Sequence, residues 1–237
     1  MVENDGVKNE RQLIDVLKEK HFSELNKNMQ NFMKDLDSNI EDSDIIKCDK
    51  QKGNGKGDLE IIIKNISFNV SVKIGDGLSI HEENFYTFQK EFLDEYNCSS
   101  QVKDILEKFI VKLGTNYKSK IKNDERKLVQ KFLDDNTSEL LNRFLKSGRT
   151  SIPADYIYYG NCNQGKLMKI DEVIEQIGRI TGKGFFHIGG ISLQAYCRDC
   201  KEKSDEQKQR LQGKIGAESR KIFSPEVIDY EEECETR

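Results

Sequence analysis

The chain has 237 residues, of which 35% are hydrophobic and 34% charged, and it contains only two prolines. This length suffices for one domain with a sizeable core or for two small domains, and the composition excludes a proline-rich disordered linker. No run approaches the roughly 18 apolar residues of a membrane span, and the polar N-terminal segment has no apolar signal core. We therefore expect a cytoplasmic protein whose six cysteines are mostly reduced thiols.

The acidic residues are unevenly distributed along the chain. Residues 224–237 hold six acids and one base, whereas residues 1–223 carry one more base than acids, although the net charge is −4. A nearly neutral body allows a local basic face, so the net charge does not exclude a nucleic-acid partner. We expect the folded part to end near residue 223 and an acidic tail to follow it.

The first half of the chain alternates between helical and extended patterns. Apolar residues at helical spacing predict one long amphipathic helix over about residues 9–37, capped by Asn9. Two strands follow at 59–63 and 68–74, the second with strict alternation of apolar and polar side chains. Residues 84–146 return to helical spacing, with a break near Asn136. Ser79 is expected to cap the start of a helix whose first turn contains the acids Glu82 and Glu83.

The second half is predicted to be rich in β-structure. Strands are expected at 156–159, 166–170, 186–195 and 209–215, with a short helix at 171–177. The order of helix, strands, helices and strands favours an α/β or α+β fold.

Three residues of the first two strands form a candidate catalytic group. Asp58 precedes the first strand, while Ser71 and Lys73 share the polar face of the second, so antiparallel pairing would bring them together. A carboxylate can hold Mg²⁺, which prefers oxygen ligands and lowers the pKa of a bound water, and the Val72 carbonyl can add a further metal oxygen. A nearby lysine can position that water and stabilise charge on a phosphate. In the alternative interpretation, Asp58 caps a turn and Lys73 is an ordinary surface lysine.

The residues around this group resemble a known enzyme family. Residues 56–63 and 70–73 are similar to the catalytic core of type II restriction endonucleases of the PD-(D/E)xK superfamily, above all the MspI-like four-base cutters. That family has an acid or an amide where this chain has Ser71, and Glu10 matches a helix-borne glutamate that reaches the metal site through water. The resemblance implies a restriction-endonuclease-like central mixed sheet flanked by helices. The catalytic residues implied are Asp58, Ser71, Lys73 and Glu10, and the Mg²⁺ ligands are Asp58, Val72 and Glu10.

Later segments resemble the same family in the same order. Residues 154–158, 171–174, 188–194 and 210–215 match, and in the family the last two belong to a region that contacts DNA. Gln194 and Gln212 are interpreted as base readers, because glutamine can pair with adenine in the major groove. Arg198, Arg210 and Lys214 would contact phosphates. The alternative is a polar surface hairpin without a role in DNA binding.

Together these features predict a Mg²⁺-dependent type II restriction endonuclease that cuts both strands of double-stranded DNA at a short site. The single domain, 1–223, would comprise a catalytic core at about 9–113, a helical middle at about 114–152 and a β-rich recognition region at about 153–216. A homodimer would suit a palindromic site, and the resemblance implies a companion DNA methyltransferase. A repair or junction-resolving nuclease and a non-catalytic DNA-binding regulator are the alternatives.

Two further features stay open at this point. Glu60 shares the face of Asp58 and is either part of the metal site or solvated. Cys197 and Cys200 form a CxxC motif, which could bind zinc with Cys162 and His187 or remain as free thiols.

Overall fold

Two β-sheets organise the computed structural model, which describes residues 5–53, 55–75, 79–112, 120–197 and 209–223. The first sheet has six strands in the order β1-β2-β3-β4-β6-β7, in which only the β4–β6 pair is parallel. Its strands are β1 (Lys20–His21), β2 (Ile45–Lys50), β3 (Leu59–Ile63), β4 (Ile66–Lys73), β6 (Tyr156–Gly160) and β7 (Gly165–Lys169). The expected central mixed sheet flanked by helices is therefore confirmed.

Two helices, rather than one, cover the first face of this sheet. They are α1 (Asp5–Leu17) and α2 (Lys27–Leu36), so the prediction of one continuous helix was wrong. The chain breaks because Glu19 adopts a positive φ of 54° and Asn26 caps α2, its side chain accepting from the Met29 amide at 2.9 Å. The apolar residues of both helices still belong to one core. Leu13, Met29 and Phe32 of the helices cluster with Leu59, Val70, Val72 and Tyr158 of the sheet.

The second sheet is antiparallel and has the order β5-β10-β9-β8. Its strands are β5 (Ser79–Asn84), β8 (Phe186–Ile188), β9 (Ile191–Cys197) and β10 (Gln209–Ile215). The expectation that Ser79 caps a helix was wrong, because residues 79–84 pair with β10 as an edge strand. The predicted strand 186–195 is a hairpin, in which Gly189 takes a φ of 49° between β8 and β9.

Further helices pack with the two sheets. They are α3 (Phe85–Phe88), α4 (Ser100–Glu107), α5 (Asn123–Asp135), α6 (Thr137–Leu141), α7 (Ile170–Gly178) and α8 (Ala217–Arg220), and α3, α4 and α6 each continue as a π-helical turn. The predicted break near Asn136 is confirmed, since that residue ends α5. A second apolar core joins these helices to the inner face of the second sheet and to Ile157 and Met168 of the first.

No helix in the part of the chain that the structure describes is long and apolar enough to cross a bilayer. The acidic tail, Arg198 and Cys200 lie outside the described residues.

Candidate active site

Asp58 directly precedes β3, at the end of the β3–β4 pairing. Strand β4 extends three residues past this point, to Lys73. Leu59 pairs with Val70, and the Asp58 amide donates to the Val70 carbonyl at 2.9 Å. At Val72 the carboxylate of Asp58 takes the place of a neighbouring strand, because its Oδ2 accepts from the Val72 amide at 2.7 Å. Backbone groups inside a protein need partners, and here an acidic side chain supplies one.

Ser71 and Lys73 reach the same carboxylate from β4. The Ser71 hydroxyl donates to Asp58 Oδ2 at 3.1 Å, and Lys73 Nζ lies 3.2 Å from the same oxygen. Residues two apart on a strand share a face, which explains why both side chains point to Asp58. Ser71 is buried, whereas the Lys73 side chain keeps 19% exposure. The structure thus brings together the three residues that the sequence singled out.

Glu10 of α1 lies close enough to interact electrostatically with this group. Its side chain is 17% exposed and lies 3.7 Å from Lys50 Nζ. Burial raises the pKa of Glu10, and the negative charge of Asp58 raises it further. The positive charges of Lys50 and Lys73 act in the opposite direction and lower the pKa of Glu10.

A cleft of about 770 Å³ is lined by Glu10 and Lys73 of this group, whereas Asp58 and Ser71 are not among its lining residues. Its walls include α1, the end of β4 and the β6–β7 turn. The expected helix cap Asn9 was placed wrongly, because it lies in the second turn of α1 and donates to the Gly160 carbonyl at 2.9 Å. Among the cleft-lining residues are Asn9, Glu10, Val72, Lys73, Asn161 and Cys162.

The oxygen atoms around Lys73 fit a hard divalent cation. Lys73 Nζ donates to the Val72 carbonyl at 2.8 Å as well as to Asp58, so the lysine ammonium contacts oxygens of two of the three residues predicted as metal ligands. Carboxylate and carbonyl oxygens are the ligands that Mg²⁺ prefers. Glu60 lies apart from this set and accepts from the Ser67 hydroxyl at 2.9 Å. Within the described ranges, no three His, Cys, Asp or Glu side chains group as a metal site, so any metal here would rely on two carboxylates and a carbonyl.

A buried polar network begins at Lys56, two residues before Asp58, and the sequence interpretation missed it. Lys56 Nζ donates to the Ile80 carbonyl at 3.0 Å and lies 3.4 Å from His81 Nδ1. An ammonium can only donate, so His81 accepts at Nδ1 and donates through Nε2 to Glu83 Oε1 at 2.8 Å. Arg143 binds Glu83 with two hydrogen bonds of 2.9 and 2.7 Å. The network links residues that are far apart in sequence, so no local sequence pattern predicted it.

Burial and hydrogen bonding shift the pKa values of this network in different ways. Burial lowers the pKa of Lys56 to about 8, helped by the positive charge of Lys73, and burial also lowers the pKa of His81. For Glu83, burial would raise the pKa, but hydrogen bonds from Arg143 and His81 outweigh it and hold the value at about 2. Glu83 is therefore an ionised carboxylate that is only 3% exposed.

The predicted DNA contacts of the second sheet share one face. Strand register places Gln212 between Gln194 on β9 and Glu82 on β5, and it places Arg210 and Lys214 two residues to either side. Gln194 is exposed, whereas Gln212 is buried. Arg210 Nε lies 2.5 Å from Glu82 Oε1, an acid that the sequence interpretation had assigned to a helix.

Three cysteine side chains lie within the described residues, and none of them is grouped there with other potential metal ligands. Cys48, Cys98 and Cys162 are free thiols, and Cys162 is half-buried in the wall of the cleft. Gln130 contacts His187 at both its backbone groups and lies 3.3 Å from the ring nitrogen Nδ1. The side chain of Cys197 and all of Cys200 lie outside the described residues, so the CxxC motif stays a prediction.

The mixed sheet, its flanking helices and the second sheet together form a restriction-endonuclease-like fold, as a comparison with solved structures shows. One similar structure is the crystal structure of the restriction endonuclease MspI in complex with its cognate DNA. The two share 14% sequence identity and a TM-score of 0.59, and the match covers 88% of each chain. No protein-family model matches the sequence, and no curated protein matches it.

Proposed function

We propose that this protein is a Mg²⁺-dependent endonuclease that cuts double-stranded DNA at a short specific site, of the type II restriction class and the MspI-like group. The observation that carries the proposal is the meeting of Asp58, Ser71 and Lys73 beside a cleft on a restriction-endonuclease-like fold. The DNA bound in the MspI structure supports DNA as the substrate class.

Each residue of the site has a chemical task under this proposal. Asp58, the Val72 carbonyl and Glu10 would hold Mg²⁺, which when bound neutralises phosphate charge and lowers the pKa of a water. Lys73 would hold the attacking water or a phosphate oxygen, since its ammonium is partly exposed and faces the cleft. Ser71 and the Val72 amide fix the orientation of the Asp58 carboxylate by donating to Oδ2.

The outer face of the second sheet is the proposed recognition surface. Gln194 and Gln212 would read base edges, and Arg210 and Lys214 would contact phosphates, with Arg198 as a further contact outside the described residues. A homodimer acting on a palindromic site and a companion DNA methyltransferase belong to the same proposal.

The test is cleavage of a plasmid of known sequence with Mg²⁺, followed by mapping of the ends. We expect discrete fragments with 5′-phosphates from the wild type. We expect Asp58→Asn and Lys73→Met each to lower the rate by about 100-fold or more, because each removes an electrostatic contribution to the transition state. Binding to the same DNA in Ca²⁺ should largely remain.

A second Asp–Lys pair on the chain offers matched control variants. Lys146 Nζ binds Asp171 at 2.6 and 2.8 Å, and neither residue lines the cleft. Asp171→Asn and Lys146→Met make the same chemical changes and should cut at the wild-type rate. Full activity of Asp58→Asn would refute the assignment. Cleavage of branched or damaged DNA only would favour a repair nuclease, and binding without cleavage in any divalent metal would favour a regulator.

A further inference from the structure

Lys56 is anchored at both its backbone and its side chain, two residues before Asp58. Its amide donates to the Ile152 carbonyl at 3.0 Å, and its ammonium donates to the Ile80 carbonyl of β5 at 3.0 Å. The side chain has little free space, since a Cβ added at Gly148 would lie 3.2 Å from Lys56 Cδ. One residue therefore ties the segment before Asp58 to the second sheet and to the loop that precedes β6.

The anchor of the Lys56 ammonium is itself held in place. His81 accepts from Lys56 and stacks on Phe144, with ring centroids 4.6 Å apart, while its other nitrogen binds Glu83. Glu83 is fixed in turn by the two hydrogen bonds from Arg143. A line of hydrogen bonds thus runs from the interior of the fold, through strand β5, to the segment that carries Asp58.

Strand β5 presents different residues to the two sides of the second sheet. His81 and Glu83 pair with Gly213 and Leu211 and point inwards to the core, whereas Glu82 and Asn84 pair with Gln212 and Arg210 on the outer face. The strand that carries part of the proposed recognition surface therefore also holds Lys56. A shift of this strand would be passed to Lys56 through two direct hydrogen bonds.

We propose that Lys56 is a positioning residue that holds Asp58 against Val72 and Lys73, and that His81 and Glu83 fix it from the second sheet. Its link to catalysis rests on the proposed function, but its effect on Asp58 does not. Lys56 acts by fixing the backbone that leads to Asp58, so this role requires no contact between Lys56 and the substrate.

The Val72 amide provides a direct measurement, because it donates to the Asp58 carboxylate at 2.7 Å. Hydrogen exchange followed by NMR will report whether this bond stays closed. We expect Lys56→Met to speed exchange at Val72 by about tenfold or more, as loss of a hydrogen bond to a charged group would. The Asp155 amide, which donates to the Asn69 carbonyl on the other side of β4, should exchange as in the wild type.

Two further variants complete the exchange experiment. Lys146→Met removes a lysine that does not contact this network and should leave Val72 exchange unchanged. His81→Phe keeps a ring to stack on Phe144 but removes the bond to Lys56, so it should accelerate Val72 exchange in the same direction. It also carries the test if Lys56→Met does not fold.

Cleavage kinetics separate positioning from DNA binding. Lys56→Met should lower kcat by about tenfold and leave KM for DNA within about twofold, because the phosphate contacts are intact. Wild-type exchange at Val72 in a folded Lys56→Met variant would overturn the inference. If the wild type cuts no DNA, the proposed function fails, while the exchange measurement still decides the role of Lys56.

Discussion

Removal of Arg143 offers a quantitative test of the buried network. Glu83 is 3% exposed and binds Arg143 through both carboxylate oxygens, at 2.9 and 2.7 Å. An Arg143→Met variant keeps most of the aliphatic packing but leaves the Glu83 carboxylate with His81 alone. Breaking a buried ion pair from one side is costly, because the remaining charge stays buried without its partner.

The pKa of Glu83 sets the scale of the effect. Its pKa of about 2 lies below the ordinary 4.5, and at about 1.36 kcal/mol per unit the interactions with Arg143 and His81 together, net of the cost of burial, contribute about 3 kcal/mol of stability at pH 7. The usual cost of breaking a buried pair is about 3–5 kcal/mol, which agrees. For a chain of this size, each kcal/mol shifts Tm by about 2–4 °C, so we expect Tm to fall by about 6–12 °C.

The loss should depend on pH in a defined direction. Because the folded-state pKa of Glu83 is depressed, its contribution is fully present above about pH 4.5 and is lost as the pH falls towards 2. Thermal unfolding at pH 7 and pH 3 should therefore show a large gap between wild type and Arg143→Met at pH 7 and a smaller one at pH 3.

Arg149→Met is the matched control for this experiment. Arg149 binds Glu91 from a side chain that is 51% exposed, and exposed pairs contribute about 0–1 kcal/mol. Arg143 also donates to Glu91 at 3.0 Å, so this control measures the loss of a Glu91 contact while the Glu83 pair stays intact. A gap for Arg143→Met no larger than that of this control, or one equal at pH 7 and pH 3, would show that Glu83 is not held as a buried carboxylate.

Two further predictions concern packing and thiol reactivity. Gly213→Ala should lower stability by about 1–3 kcal/mol, because the added Cβ would lie 2.7 Å from a Phe144 ring carbon. A reduced urea midpoint with an unchanged slope would confirm this, and a wild-type midpoint would contradict it. Iodoacetamide at pH 8 should label Cys162 before Cys48 and Cys98, since burial raises the pKa of those two thiols to about 12 and about 11 and only the thiolate reacts. Peptide mass spectrometry would measure the order, and equal rates at the three sites would contradict it.

The hairpin that carries the candidate site was predictable because its determinants are local. Strict alternation marked the second strand, and the run 59–63 was confirmed to the residue as β3. Lys64 and Asn65, which lie between the two predicted strands, adopt positive φ values of 49° and 70°, and β4 begins at Ile66, two residues before its predicted start. Antiparallel pairing of the two strands was enough to expect the approach of Asp58 to Lys73, whereas the two-residue turn that sets the register was not predicted.

The elements that were missed depend on partners distant in sequence. Strand β5 contains His81 and Glu83, two buried polar residues whose partners there are Lys56 and Arg143. In sequence, residues 79–83 read as the start of a helix capped by Ser79. Likewise, the spacing of apolar residues over 9–37 is the same for one long helix as for two helices that pack on one sheet, and it did not reveal the cap at Asn26.

The ion pair between Asp58 and Lys73 also bears on the order in which the protein folds. The two residues are 15 apart in the chain and belong to one hairpin, a unit that forms in about 1–10 μs in isolation. Lys73 of the same hairpin is therefore the counter-ion of the Asp58 carboxylate, and the strands can pair without any cation from solution. We expect a chelator to leave the unfolding temperature unchanged, so that assembly of the hairpin is separate from its chemistry.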